Sequence, residues 1–325
     1  LKKIFKIVKK FYNDAKNFSL ELAILHFKET LSRYTWYTMP PKAYLRKDEI
    51  VLEFLKRNYG EVQVDDSISI QTSSPNIWVF WYQGEKQMPD LVRATYSSVK
   101  KHSNGHKVIL ITKDNIETYT HFPELLKNKV KEGSISIAQY SDIIRATLLS
   151  TYGGLWLDAT VFVKKDIPED IFRKNIFTIK NNPNKEDALF YISVAHLRWT
   201  TYVLGGVANH PLFNYMKTVL IEYNCREKSL IDYLLVDYTI ELAMEKSSKI
   251  KKDIDNIPIS NTNKEELVNC LFAKFPDKKT KSILESNTIF FKLSYKINVN
   301  VKKWENTNYD LLINHKILEK YEVED

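Results

Sequence analysis

YSDIIRATLLSTYGGLWLDATVFV, residues 140–163, reads as an amphipathic helix turned by two glycines into an apolar strand. Ile143, Ile144, Leu148 and Leu149 mark the buried stripe of the helix, while Asp142 and Arg145, three residues apart, share another face. Gly153 and Gly154 stop the helix, one of them in the left-handed conformation that most L residues avoid. Residues 155–163 are then expected to form one strand covered on both sides, because almost every position is apolar. A period of two sets Trp156, Asp158, Thr160 and Phe162 on one face, with Leu155, Leu157, Ala159, Val161 and Val163 on the other. Burying an unpaired carboxylate costs several kcal/mol, so Asp158 requires a cation, a strong donor or an open strand end facing a ligand.

Outward from this segment the chain divides in two. From residue 76 strands alternate with helices, the pattern of an α/β layer with a mainly parallel sheet flanked by helices. Residues 77–81 and 107–112 are expected strands, 89–102 and 123–131 helices, and 176–179 and 191–197 further strands. After Gly205 and Gly206 the chain becomes helical, most clearly at 211–223 and 229–246, and the polar, lysine-rich 248–263 is a mobile loop. Residues 1–70 form a helical appendage, with breaks before residue 19 and at Pro40-Pro41. Its first eighteen residues carry Leu1, Ile4, Phe5, Val8, Phe11, Tyr12 and Ala15 at helical spacing. Lys2, Lys3, Lys6, Lys9, Lys10 and Lys16 surround the opposite face. Such a basic amphipathic helix suits either an anionic membrane surface or ordinary packing on the neighbouring domain.

Residues 71–325 are expected to form one domain, which over about residues 77–296 resembles the capsular polysaccharide synthesis glycosyltransferases, a family related to glycosyltransferase family 32 and distantly to clostridial glucosylating toxins. The pattern is Ser141-Asp142-Ile143-Ile144-Arg145, followed by Tyr152-Gly153-Gly154-Leu155-Trp156-Leu157-Asp158-Ala159-Thr160. IWVFWYQG at 77–84 resembles the first nucleotide-binding strand and KLSYK at 292–296 a C-terminal block. The resemblance implies a GT-A-like Rossmann-type fold. It also implies transfer of a sugar, with retention, from a nucleotide-sugar donor, UDP-linked, to a lipid-linked capsular or exopolysaccharide repeat unit. In bacterial cytoplasm, peripheral to the inner face of the membrane, such an enzyme would meet that acceptor.

The site residues follow from the same resemblance. Asp158, Asp142 and Arg145 are the expected catalytic centre. Trp81, Gln83, Ser141, Thr160, Lys292, Ser294 and Tyr295 complete the donor site, and Asp232 and Asp237 are candidates for the acceptor. The plainer readings are a surface ion pair for Asp142 and Arg145, core packing for Trp81, and solvated lysines for Lys292 and Lys296. Wider relatives end the central motif in a second Asp that binds Mn or Mg. Here Thr160 stands in its place, and a neutral hydroxyl is a poor anchor for a hard cation, which puts metal at Asp158 in doubt.

Composition sets the remaining bounds. The 325 residues, 44% of them hydrophobic, suffice for a large core, and 48 basic against 40 acidic residues give a formal charge of +8. That excess favours anionic partners, and a non-catalytic module binding nucleic acid or an anionic polymer is the rival reading. The lysines are spread along the chain rather than gathered in a stripe, so no nucleic-acid partner is expected. Cys225 and Cys270 lack metal-ligand spacing and indicate a reducing compartment. No apolar run approaches the roughly 20 residues of a membrane span, and no cleavable leader is visible. Oligomeric state leaves no trace in the sequence.

Overall fold

The computed structural model describes residues 2–67, 75–186, 188–296 and 304–323. A five-stranded sheet lies at the centre in the order β2-β1-β3-β6-β5, and β4 and β7 form a separate pair. The strands are β1 (Ile77–Phe80), β2 (Val108–Ile111), β3 (Gly154–Leu157), β4 (Val161–Val163), β5 (Ile176–Thr178), β6 (Val203–Gly206) and β7 (Phe290–Lys292). β1 runs parallel to β2 and β3, whereas β6 is antiparallel to both β3 and β5. The sheet is therefore mostly parallel and flanked by helices, as its alternating pattern implies.

Alternate residues of β1 show the two-sided burial directly. Trp78 and Phe80 enter a large core built with the helices Ile137–Tyr152, Pro211–Arg226 and Leu235–Lys246. Ile77 and Val79 enter a second core with Val92, Tyr96 and Val99 of the helix Asp90–Lys101. Ile137–Tyr152 starts at a capping box: the Ser136 hydroxyl accepts from Gln139 N, and the Gln139 side chain accepts from Ser136 N. A cap of this kind contributes about 1 kcal/mol and fixes where the helix begins. Gly153 and Gly154 both adopt positive φ, 64° and 92°, and reverse the chain into β3.

Several expectations require correction. The apolar run 155–163 is two strands, because after Leu157 the chain leaves β6 and Val161 pairs instead with Lys292 of β7. Phe162 consequently joins a third core with Phe291 and Leu293, away from Trp156. Gly205 and Gly206 lie inside β6, where a Cβ on Gly205 would stand 2.7 Å from the Gly154 carbonyl oxygen. Glycine here serves close strand approach. Residues 191–197 do not form a strand: a short helix, Ala188–Ile192, precedes His196 and Leu197 at φ 46° and 66°. Finally, the expected loop after residue 247 contains the helix Ser248–Asp255. Its Ile250 and Ile254, one turn apart, are buried beneath a lysine-rich face, while the helix before it begins only at Leu235.

The N-terminal helices are Lys2–Asn17, Leu20–Tyr34 and Pro41–Tyr59. Lys47, 2% exposed, joins them to the body by donating to Asp232 Oδ2 at 3.0 Å. His26 bridges the same carboxylate, 3.1 Å from its Nε2, and Asp14, 2.9 Å from its Nδ1.

Candidate active site

β1 and β3 are parallel, so the residues after Phe80 and Leu157 emerge on one edge of the sheet. β6 runs the other way and brings Tyr202, which precedes it, to that edge: Asp158 N donates to Tyr202 O at 2.9 Å. A tight turn follows, closed by Val161 N donating to Asp158 O at 2.9 Å. Thr95 Oγ1 donates to Ala159 O at 2.6 Å and pins the turn to the flanking helix. Pairing of β4 with β7 then carries Lys292 back over it.

The Asp158 carboxylate is held on both oxygens. Oδ1 accepts from Arg145 Nη2 at 3.0 Å and Trp156 Nε1 at 2.9 Å, and Oδ2 accepts from Lys292 Nζ at 2.6 Å. The same ammonium donates to Thr160 Oγ1 at 2.9 Å and lies 5.1 Å from the centre of the Tyr202 ring. Arg145 uses Nη1 on Asp142 Oδ1 at 2.9 Å, and its guanidinium sits 5.1 Å from the Trp156 ring centre. Asp158 retains 25% and Lys292 28% side-chain exposure, so the pair borders solvent and can meet a ligand.

Their protonation states diverge. Burial by itself would raise the Asp158 carboxyl, but the charges of Lys292 and Arg145 outweigh it and hold the group well below the usual carboxylate range. Asp142 moves the other way: burial, reinforced by the charges of Asp158 and Asp237, outweighs its pair with Arg145 and pushes it up to about 7. Asp237 accepts from Trp199 Nε1 at 2.9 Å, and burial pushes it up to about 6.

The structure thus joins Asp142, Arg145, Asp158, Thr160 and Lys292 by direct bonds. Trp81 and Tyr295 meet edge to face, ring centres 5.3 Å apart. Ser141 is half-buried beside Asp142, Ser294 half-buried beside Tyr295, and Gln83 exposed on the loop after β1. Asp237 lies behind the cluster, near enough for its charge to act on Asp142. Asp232, the other acceptor candidate, is 4% exposed and bonded to Lys47 and His26. Two buried donors of the site, Trp81 Nε1 and Arg145 Nε, have no hydrogen-bond partner among the described residues.

Sequence reading did not pick out Tyr202, Glu265 or Tyr233. Tyr202 donates its hydroxyl to Glu265 at 2.8 Å, and Tyr233, 70% exposed, feels the charges of Asp142 and Asp158. Nothing in their local pattern marks them, because tertiary folding alone brings them to the edge. Trp156 is different: its place two residues before Asp158 is a local signal.

A divalent cation fits this donor set poorly. The one central carboxylate is already shared by an ammonium and a guanidinium, and its neighbour is a hydroxyl. Among the described residues no cluster of three or more His, Cys, Asp or Glu side chains is placed to hold a metal.

In open α/β sheets ligands settle at the carboxyl edge of the parallel strands, which is where this charged cluster lies. Residues 33–312 match the capsular polysaccharide synthesis protein family, and the chain belongs to it. It is also 34% identical over 110 residues to the O-glycosyltransferase braB of Annulohypoxylon truncatum. That match covers 31% of this chain and 26% of the relative, so the chain spans about a quarter of that protein's length. Among solved structures, PaToxG Glycosyltransferase aligns with 87% of this chain and 94% of its own at 12% identity. Its TM-score of 0.40 is too low to bear on function.

Proposed function

We propose that this protein is a glycosyltransferase with a GT-A-like donor site. It would move a sugar from a nucleotide-sugar, UDP-linked, to a lipid-linked capsular repeat unit, with retention of configuration. The observation carrying this reading is the bonded set Asp142–Arg145–Asp158 at the carboxyl edge of β1 and β3, with both carboxylates reachable from solvent and Arg145 buried between them.

In this reading a carboxylate and a guanidinium fork read the hydroxyls of the donor sugar, and Trp81 and Tyr295 frame the base. As the bond from the anomeric carbon to the diphosphate breaks, its electron pair goes to the leaving diphosphate. The acceptor oxygen bonds to that carbon and gives up its proton to an oxygen of the leaving diphosphate. Lys292 is the cation nearest the developing charge. Retention and the UDP donor rest on resemblance to the family's motifs.

Contact with an anionic membrane surface belongs to the same proposal. Ile4, Phe5, Val8 and Tyr12 of the first helix are 60–70% exposed, on a helix that also carries Lys6, Lys9, Lys10 and Lys16. Among the described residues no helix is long and apolar enough to cross a membrane.

Incubation with UDP-, GDP- and CMP-sugars, with release of the nucleotide as readout, tests the activity. Release dependent on Asp158 is expected. No release and no nucleotide binding from any donor would remove the proposal.

A further inference from the structure

We infer that the Lys292 ammonium is the resident cation of this site, occupying the place between residues 158 and 160 and making a divalent metal unnecessary for holding a diphosphate. This rests on the donor-site reading above. The relevant geometry is a cation gripped by a carboxylate oxygen at 2.6 Å and a hydroxyl oxygen at 2.9 Å, the two protein groups of the Asp-Ala-Thr turn. An ammonium has three N–H donors. These two bonds use two of them, which leaves one for an incoming phosphate oxygen, much as a bound metal keeps a coordination position open.

Three further features favour a fixed cation over a mobile surface lysine. Lys292 is the last residue of β7, its backbone in register with Val161 and its N–H donating to Lys264 O at 2.6 Å. The Tyr202 ring lies against the ammonium, 5.1 Å from its centre, and is itself tied to Glu265. Arg145 holds the opposite oxygen of the same carboxylate, so Asp158 is fixed from both sides. Thr160 completes the logic: a second carboxylate there would over-neutralise one ammonium, whereas a hydroxyl supplies an acceptor without adding charge.

Mn(II) binding, read by electron paramagnetic resonance, and UDP binding, read by calorimetry with EDTA or Mn(II), test the assignment. The probes are applied to the full chain, Lys292→Met and the double variant Lys292→Met, Thr160→Asp. Methionine keeps a similar unbranched stem against Tyr202, and thermal melting checks the fold. In the unsubstituted protein UDP should bind equally well in EDTA and in Mn(II), with no site-specific Mn(II) signal. Lys292→Met should lose about tenfold to a hundredfold in UDP affinity, the size of one charge-assisted bond. The double variant should gain an Mn(II) site and recover UDP affinity only with the metal. Specific Mn(II) binding by the unsubstituted protein, or UDP binding that requires Mn(II), would overturn the lysine assignment while leaving the donor site standing. Absence of nucleotide binding under every condition would instead count against the donor site. The Mn(II) signals of the unsubstituted protein and the double variant would still decide the cation. If Lys292→Met unfolds, Lys292→Arg replaces it, with retained UDP binding in EDTA expected and a new metal requirement contrary.

Discussion

Lys292 and Asp158, 134 positions apart, meet at 2.6 Å, and the antiparallel pairing of β4 with β7 is what brings them together. Phe290 of the strand that carries Lys292 enters the core it shares with β1 and β3, while Phe291 enters the third core. The candidate site therefore lies on the seam between the main sheet and the C-terminal pair, which this ion pair spans above packed apolar side chains.

Asp158→Asn tests the centre of that seam. The change is nearly isosteric but removes the charge that Lys292 and Arg145 share, so the fold should persist while donor turnover falls by at least about a hundredfold. Turnover near the original rate in a protein with unchanged circular dichroism would rule out the catalytic assignment.

Asp142 predicts a pH dependence. Its carboxyl is pushed up to about 7, so it carries a proton below that pH and grips Arg145 as an anion above it. Donor affinity should rise with pH through about 7, and Asp142→Asn should flatten that limb. Folding stability has the opposite sign. The folded state binds this proton more tightly than the unfolded chain, so this group's contribution falls as pH climbs from about 4 to about 7. Calorimetric titration from pH 5.5 to 8.5 checks the affinity limb, and an unaltered profile in Asp142→Asn would assign it elsewhere.

Asp232→Ala should act on stability alone. It takes from Lys47, which is 2% exposed, its shortest carboxylate contact, leaving Glu29 at 3.3 Å, and breaks the bridge through His26. Loss of one partner from a buried pair costs about 3–5 kcal/mol. Urea unfolding should register that loss, while nucleotide affinity of the folded fraction stays within about twofold. A loss below about 1 kcal/mol would deny Asp232 its fastening role.

Phe5→Ser with Val8→Ser should weaken sedimentation with phosphatidylglycerol vesicles and leave the melting temperature unchanged. Both side chains face solvent, at 70% and 60% exposure, so their removal empties no core. Equal sedimentation of the double variant and the parent would return the helix to a structural role.

Gly205→Ala should destabilise the sheet by about 1–3 kcal/mol, the range for overpacking. Its added Cβ would lie 2.7 Å from the Gly154 oxygen in β3. Thermal melting measures it, and an unchanged midpoint would mean that the strands separate freely.

Elements with strong local signals were legible in the residues alone. Ile143, Ile144, Leu148 and Leu149 mark the central helix, Gly153 and Gly154 end it, and a carboxylate in an apolar run marks Asp158 as a residue needing partners. These are legible because helical spacing, φ preference and desolvation cost act within a few residues. Tertiary structure alone decided where the run 155–163 breaks, because both halves are equally apolar and only their different partners, β6 and β7, separate them. It also decided that Asp232 fastens the N-terminal helices while Asp237, five residues on, lies behind the cluster. Both are acidic residues in the same segment, and their roles diverge because Lys47 and His26 arrive at one and Trp199 at the other. Tyr202 and Glu265 reached the site the same way, through strand pairing and long-range packing, which no local periodicity records.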